Sequence, residues 1–261
     1  MRNPQPQRNS YERRKAIKEK RRLGSTLRRL LLEEDLQGFH EALEILKSHC
    51  KEWDFSRPRL DFDICRPSDR RESLNLKGLK LEGIILSRMK FFGADLSGCV
   101  IKDCEIKGAV RFIGCNIQDS VFENLEDCDN ISEHRLIFMS TRLVGSKFLN
   151  ISLVQEKGRW GYDEPGGIGF RKNVNLRDCS FNNCVFNWLQ MSDIFGLRSC
   201  VFNETYANSL SLWSAKWNRG DLSEIEAMLE DAKNSSLKNA CSEKHWQANI
   251  SSLEEFIEKH G

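Results

Sequence analysis

Between Leu76 and Phe202 a large apolar residue returns every five residues, and an apolar or small residue stands two places before nearly every one of them. Leu76, Leu81, Leu86, Phe91, Leu96, Ile101 and Ile106 keep this frame without a break. A spacing of five fits neither the 3.6 residues of a helical turn nor the alternation of a single strand, so the backbone has to bend in every unit. A chain that bends at regular intervals stacks on itself as a solenoid.

After Ile106 the frame slips by one residue, which predicts a bulge at a corner, and resumes at Phe112, Ile117 and Phe122. It breaks over residues 123–135, where Glu123, Glu126, Asp127, Asp129 and Glu133 predict an acidic loop extruded from the coil, and returns at Phe138, Leu143, Phe148 and Leu153. A second interruption, about residues 154–172, holds Trp160-Gly161-Tyr162 and a glycine-rich turn, Pro165-Gly166-Gly167-Ile168-Gly169; Leu176, Phe181, Phe186, Met191, Leu197 and Phe202 follow. The count is twenty pentads. Stacking in fours places Phe91 over Phe112, Phe181 over Phe202, Cys179 over Cys200 and, with the second interruption wholly extruded, Phe148 over Phe186.

The unit Ala94-Asp95-Leu96-Ser97-Gly98 resembles the A-(D/N)-L-x-x consensus of pentapeptide-repeat proteins. The resemblance covers roughly half the chain, close in period and loose in letters. It implies a mainly β solenoid, a right-handed quadrilateral β-helix of about five coils.

At 261 residues the chain suits one solenoid with α-helical N- and C-terminal caps, which terminal coils need to cover their edges. The expected organisation is a basic arm over residues 1–30, partly disordered or helical, a helical cap and link over 31–73, the β-helix over 74–210 and a helical cap over 211–261. No apolar stretch reaches the length of a membrane span, and no apolar run follows the basic N-terminus as in a secretory signal, so a cytoplasmic location is expected, with secretion as an effector left open. Cys99, Cys104, Cys115, Cys179, Cys184 and Cys200 all fall two places before a central residue, where reduced cysteine serves as a small hydrophobe. Neither disulfides nor a metal site is expected.

The span 35–53 carries Leu36, Phe39, Leu43, Leu46 and Cys50 at helical spacing, with His40 and His49 expected as packed, hydrogen-bonded imidazoles. Leu60, Phe62 and Ile64 alternate and predict a short edge strand. Asp221-Leu222-Ser223-Glu224 opens a helix with Ile225, Met228, Leu229 and Ala232 inward; Ser251-Ser252-Leu253-Glu254 opens a final one, and residues 232–249 between them read as partly mobile. Residues 1–30 hold eleven Lys or Arg, Arg13, Arg14, Lys15, Lys18, Arg21 and Arg22 among them, against Glu12 and Glu19; that net +9 within an overall +2 leaves the remainder at −7.

No nucleophile elbow, phosphate loop or dinucleotide fingerprint occurs, so no enzyme, cofactor or small-molecule substrate is expected. The leading expectation is a non-catalytic scaffold binding another protein through a coil face and its loops, with Trp160, Tyr162, Glu126, Asp127 and Asp129 as contacts. A second is a mimic of duplex DNA that binds a topoisomerase or another DNA-binding protein, as the resemblance allows; the sixteen basic and sixteen acidic residues of 74–210 speak against it. In a third, the basic arm holds nucleic acid or an anionic membrane.

Overall fold

The computed structural model describes residues 6–52, 57–65, 73–127, 136–154, 167–213 and 222–260. Among the described residues the strand pairings are parallel and stack the central residues into four columns, one per wall of the solenoid. The first wall holds Leu60, Leu86, Ile106, Asp127, Leu153, Phe186 and Ala207, and the second Ile64, Phe91, Phe112, Phe138, Phe170, Met191 and Leu212. The fourth holds Leu81, Ile101, Phe122, Phe148, Phe181 and Phe202. On the third, Asn75, Asp95, Asn116, Arg142, Asn175 and Phe195 are in register, with Leu76, Leu96, Ile117, Leu143 and Leu176 inward beside them and Leu197 delivered by the 3-10 turn Leu197–Ser199. All twenty expected central residues are at most 5% exposed.

The coil count exceeds the expected five. Arg59–Leu60 and Asp63–Cys65 form the first two walls of an additional coil rather than one edge strand, and Tyr206–Trp213 begins a seventh on two walls. Gly167–Asn175 is a strand, not a turn, so Phe170 occupies a central position and moves the later frame on by one wall. Phe148 therefore lies over Phe181, and Phe186 lies over Leu153. The glycines serve a close approach: a Cβ at Gly167 would stand 2.0 Å from the Trp188 carbonyl oxygen. The acidic stretch is also mostly wall. Glu123 ends the strand Val121–Glu123, Leu125 is fully buried, and Glu126 and Asp127 pair with Glu105 and Ile106.

Two residues after most central residues the backbone turns through the left-handed region, which Gly, Asn and Asp tolerate best. On the corner between the fourth and first walls these turning residues link side chain to side chain. Asn183 donates to Asn150 (2.9 Å), Asn150 to Asn124 (3.1 Å) and Asn124 to Asp103 (2.6 Å). The small residues two places before the centre do more than fill space. Ser120, Ser146, Thr141, Thr205, Cys104, Cys115, Cys179, Cys184 and Cys200 each donate to the carbonyl of a central residue in the coil below, as in Ser146 Oγ to Ile117 O at 2.6 Å and Cys200 Sγ to Leu176 O at 2.8 Å. Interchange of Cys, Ser and Thr at this position thus preserves a donor.

Helices close both ends. α1 (Pro6–Leu32) is continuous across the expected boundary at residue 30, because Leu23, Leu27, Leu30 and Leu31 bury one face of it; the second half of the basic segment is cap, not arm. α2 (Leu36–Glu52), opened by the Asp35 carboxylate accepting from Gly38 N at 2.9 Å, buries Phe39, Leu43, Leu46 and Cys50. At the other end α3 (Leu222–Lys233) and α4 (Glu243–His260) flank a 3-10 turn, Ser236–Ala240. The span 232–249 is therefore structured, with Leu237, Ala240 and Trp246 buried, and Ser251 lies inside α4 rather than opening a helix. Asp221 lies outside the described residues.

The caps also supply polar partners to the terminal strands, whose edges would otherwise be open. His40 Nε2 accepts from Lys80 N (3.1 Å) and Arg28 donates to Asp63 O (3.1 Å) at the first coil. At the last, Ser236 Oγ accepts from Phe202 N and donates to Cys200 O, while Asn249 accepts from Leu212 N (2.8 Å) and donates to Leu210 O (3.0 Å).

Candidate functional site

A parallel ladder also aligns the residues that face outward. On the second wall the residue after each central one forms the column Cys65, Phe92, Ile113, Met139 and Arg171, closed above by the buried Ser192, with neighbours about 4.8 Å apart. Phe92 is 49% exposed, Cys65 is exposed, and Ile113 and Met139 are partly so. Beside this apolar stripe run Lys90, paired with Asp63 at 3.4 Å, and Arg111. Arg171 Nε donates to Gln190 at 2.8 Å; burial, with the Arg111 charge added, holds its guanidinium below the usual arginine range.

Both long insertions leave the coil at the edge of this wall. Residues 128–135 follow Asp127 and precede Leu136, and residues 155–166 follow Val154 and precede Gly167. Glu126 is in register with Ser152, and Leu136 with Ile168, so the two insertions share one corner in consecutive coils and start and finish one strand spacing apart. In the next coil the strand Val185–Phe195 runs through that corner without insertion and sets Trp188, partly buried, beside Gly167.

Of the expected contact residues, Glu126 is exposed on the first wall between Glu105 and Ser152, while Asp127 takes the register position of a core residue between Ile106 and Leu153 and is partly buried. Asp129, Trp160 and Tyr162 lie outside the described residues. Among the basic residues Arg14, Lys15, Lys18, Arg21 and Arg22 are exposed on α1, with Arg22 paired to Glu19 at 2.5 Å; the Arg13 side chain is outside the described ones. Sequence reading missed Phe92, Ile113, Met139 and Trp188. Their outward positions carry no periodic signal, and only the stacking makes them neighbours.

Burial pushes the thiols of Cys99 and Cys179 up to about 12 and those of Cys104, Cys115 and Cys184 to about 11, which keeps them protonated and unreactive. Among the described residues no group of three or more His, Cys, Asp or Glu is placed to hold a metal ion, and no helix is long and apolar enough to cross a membrane. Neither a family model nor a curated protein matches the chain.

Proposed function

We propose that this solenoid, built in the manner of the pentapeptide-repeat family, is a non-catalytic scaffold that binds a partner protein through its second wall and the two insertions beside it. One observation carries the reading: the bases of residues 128–135 and 155–166 lie in register on one corner, next to an exposed apolar column. An outward column on a solenoid wall is a continuous surface rather than a pocket, which suits protein recognition better than turnover of a small molecule. Arg171 stands in the stripe and Arg111 beside it, with Lys90 paired to Asp63, so the complementary partner presents an apolar segment with acids next to it. Trp160 and Tyr162, in the second insertion, are of the residue types that dominate interface energies. The buried free thiols support action in a reducing compartment, the cytoplasm.

A DNA-like rod fits the surface less well. Lys80, Val100, Val121 and Lys147 line one outward column of the fourth wall, and Glu82, Lys102 and Glu123 the next, which mixes signs where a phosphate mimic needs one.

Affinity capture from native lysate tests the proposal, with Phe92→Ser plus Met139→Ser and, separately, Trp160→Ala plus Tyr162→Ala. A specific partner is expected to be lost from both. Retention of every captured protein by both variants overturns it.

A further inference from the structure

We propose that the outward face of α1 holds the phosphate backbone of a nucleic-acid duplex without reading its sequence. At 100° per residue, Arg14, Lys15, Lys18, Arg21, Arg22, Arg28 and Arg29 fall within an arc of about 140°. The buried Leu23, Leu27, Leu30 and Leu31 lie on the opposite side, so the packing that fixes the helix also turns its charge to solvent. Arg22 and Arg29 are partly neutralised by Glu19 and Glu33, at 2.5 and 3.0 Å. No ion pair to a carboxylate among the described residues involves Arg14, Lys15, Lys18, Arg21 or Arg28. Concentrating these cations on one rigid face is costly by mutual repulsion and is offset when an anionic polymer lies along it.

The chemistry selects among polyanions. From Arg14 to Arg29 the face is about 22 Å long, which spans roughly six phosphates of one strand at about 3.4 Å each. Between Arg14 and Arg29 the sequence holds no aromatic on which unpaired bases would stack and no Asn or Gln to read base edges, so a duplex engaged through phosphates fits best there. A helix lying on a membrane needs a free apolar face, and here Leu23, Leu27, Leu30 and Leu31 are already packed against the protein, which leaves Ile17 as the one exposed large apolar side chain among the described residues of α1.

The test uses the full chain with fluorescent 20-base-pair DNA and RNA duplexes of arbitrary sequence. Five cations on phosphates predict that affinity falls roughly 500-fold between 50 and 200 mM salt, and that Arg14→Gln, Lys18→Gln and Arg21→Gln together cut this to roughly 12-fold. Gln preserves helix propensity, and circular dichroism checks that α1 persists. A control with the same charge change on the solenoid, Lys147→Gln, Lys172→Gln and Arg198→Gln, is expected to bind as the parent does. Absence of duplex binding at 50 mM salt, equal losses in both triple variants, or capture by phosphatidylserine vesicles without duplex binding each overturns the proposal.

Discussion

The rings of Phe122 and Phe138 meet edge to face, with centroids 5.5 Å apart and planes at 90°, although they stand on opposite walls of the solenoid. Each also belongs to a stack. Phe91, Phe112, Phe138 and Phe170 run up the second wall with centroids 5.1, 5.1 and 5.3 Å apart, and Phe122, Phe148, Phe181 and Phe202 run up the fourth at 4.9, 4.5 and 4.7 Å. Two ladders of stacked rings, interlocked by the T-shaped contacts that aromatic quadrupoles favour, fill the centre of the coil.

Because Phe138 takes part in both kinds of contact, Phe138→Ala is expected to lower stability by about 3–5 kcal/mol, through lost burial plus the cavity left behind. Phe92→Ala, on the outer surface of the same wall, is expected to change it by no more than about 0.5 kcal/mol. Chemical denaturation of the two variants side by side checks the contrast, and similar losses would contradict the inward and outward assignments.

Asn150 has a φ of 53° and bonds to Asn124 and Asn183 in the corner ladder. Asn150→Gly keeps the left-handed turn and loses only the side-chain bonds. Asn150→Ala loses both and is expected to be less stable than the glycine variant by about 1 kcal/mol. The order of their melting temperatures is the measurement, and alanine equal to glycine would show that the backbone conformation carries no cost there.

Burial lowers the His40 pKa below its ordinary 6.5, and the neutral ring accepts from Lys80 N at the first coil. A folded-state pKa below the unfolded one gives stability that is complete above pH 6.5 and is lost as pH falls through the lower folded value. Protonation replaces the accepting lone pair with a donor facing a donor. Hydrogen exchange at Lys80 should therefore quicken as pH falls below 6.5, after correction for intrinsic rates, and His40→Gln, which retains an acceptor, should flatten that dependence.

Among the described cysteines Cys65 is exposed and the other eight are buried. A maleimide applied to the native protein at neutral pH is expected to label Cys65 at least tenfold faster than any of Cys99, Cys104, Cys115, Cys179, Cys184 or Cys200, whose thiols burial keeps protonated. Peptide mapping by mass spectrometry reads the order. Comparable labelling of Cys179 or Cys200 would mean that the upper coils open readily.

The inward half of the fold was legible in the chain because the bend recurs locally. Every residue named from the five-residue frame is buried, and the leucines and aromatics of α2 and α3 point where their helical spacing places them. The frame failed at Gly167–Asn175, where glycines that permit a close backbone approach look the same in sequence as glycines of a turn. The candidate site was less legible. Trp160 and Tyr162 could be named from composition alone, whereas Phe92, Ile113 and Met139 become one stripe only through pairing across 21 and 26 residues.

The sequence by itself determined that the chain coils, that the residues of the five-residue frame enter the core and that helices stand at both ends, since each follows from spacing within a few residues. Tertiary structure alone decided that Phe148 meets Phe181, that two separate insertions share a corner and that the leucines of α1 turn its basic residues outward. Those relationships depend on how many residues lie between one coil and the next and on which surfaces pack, quantities that no local period encodes.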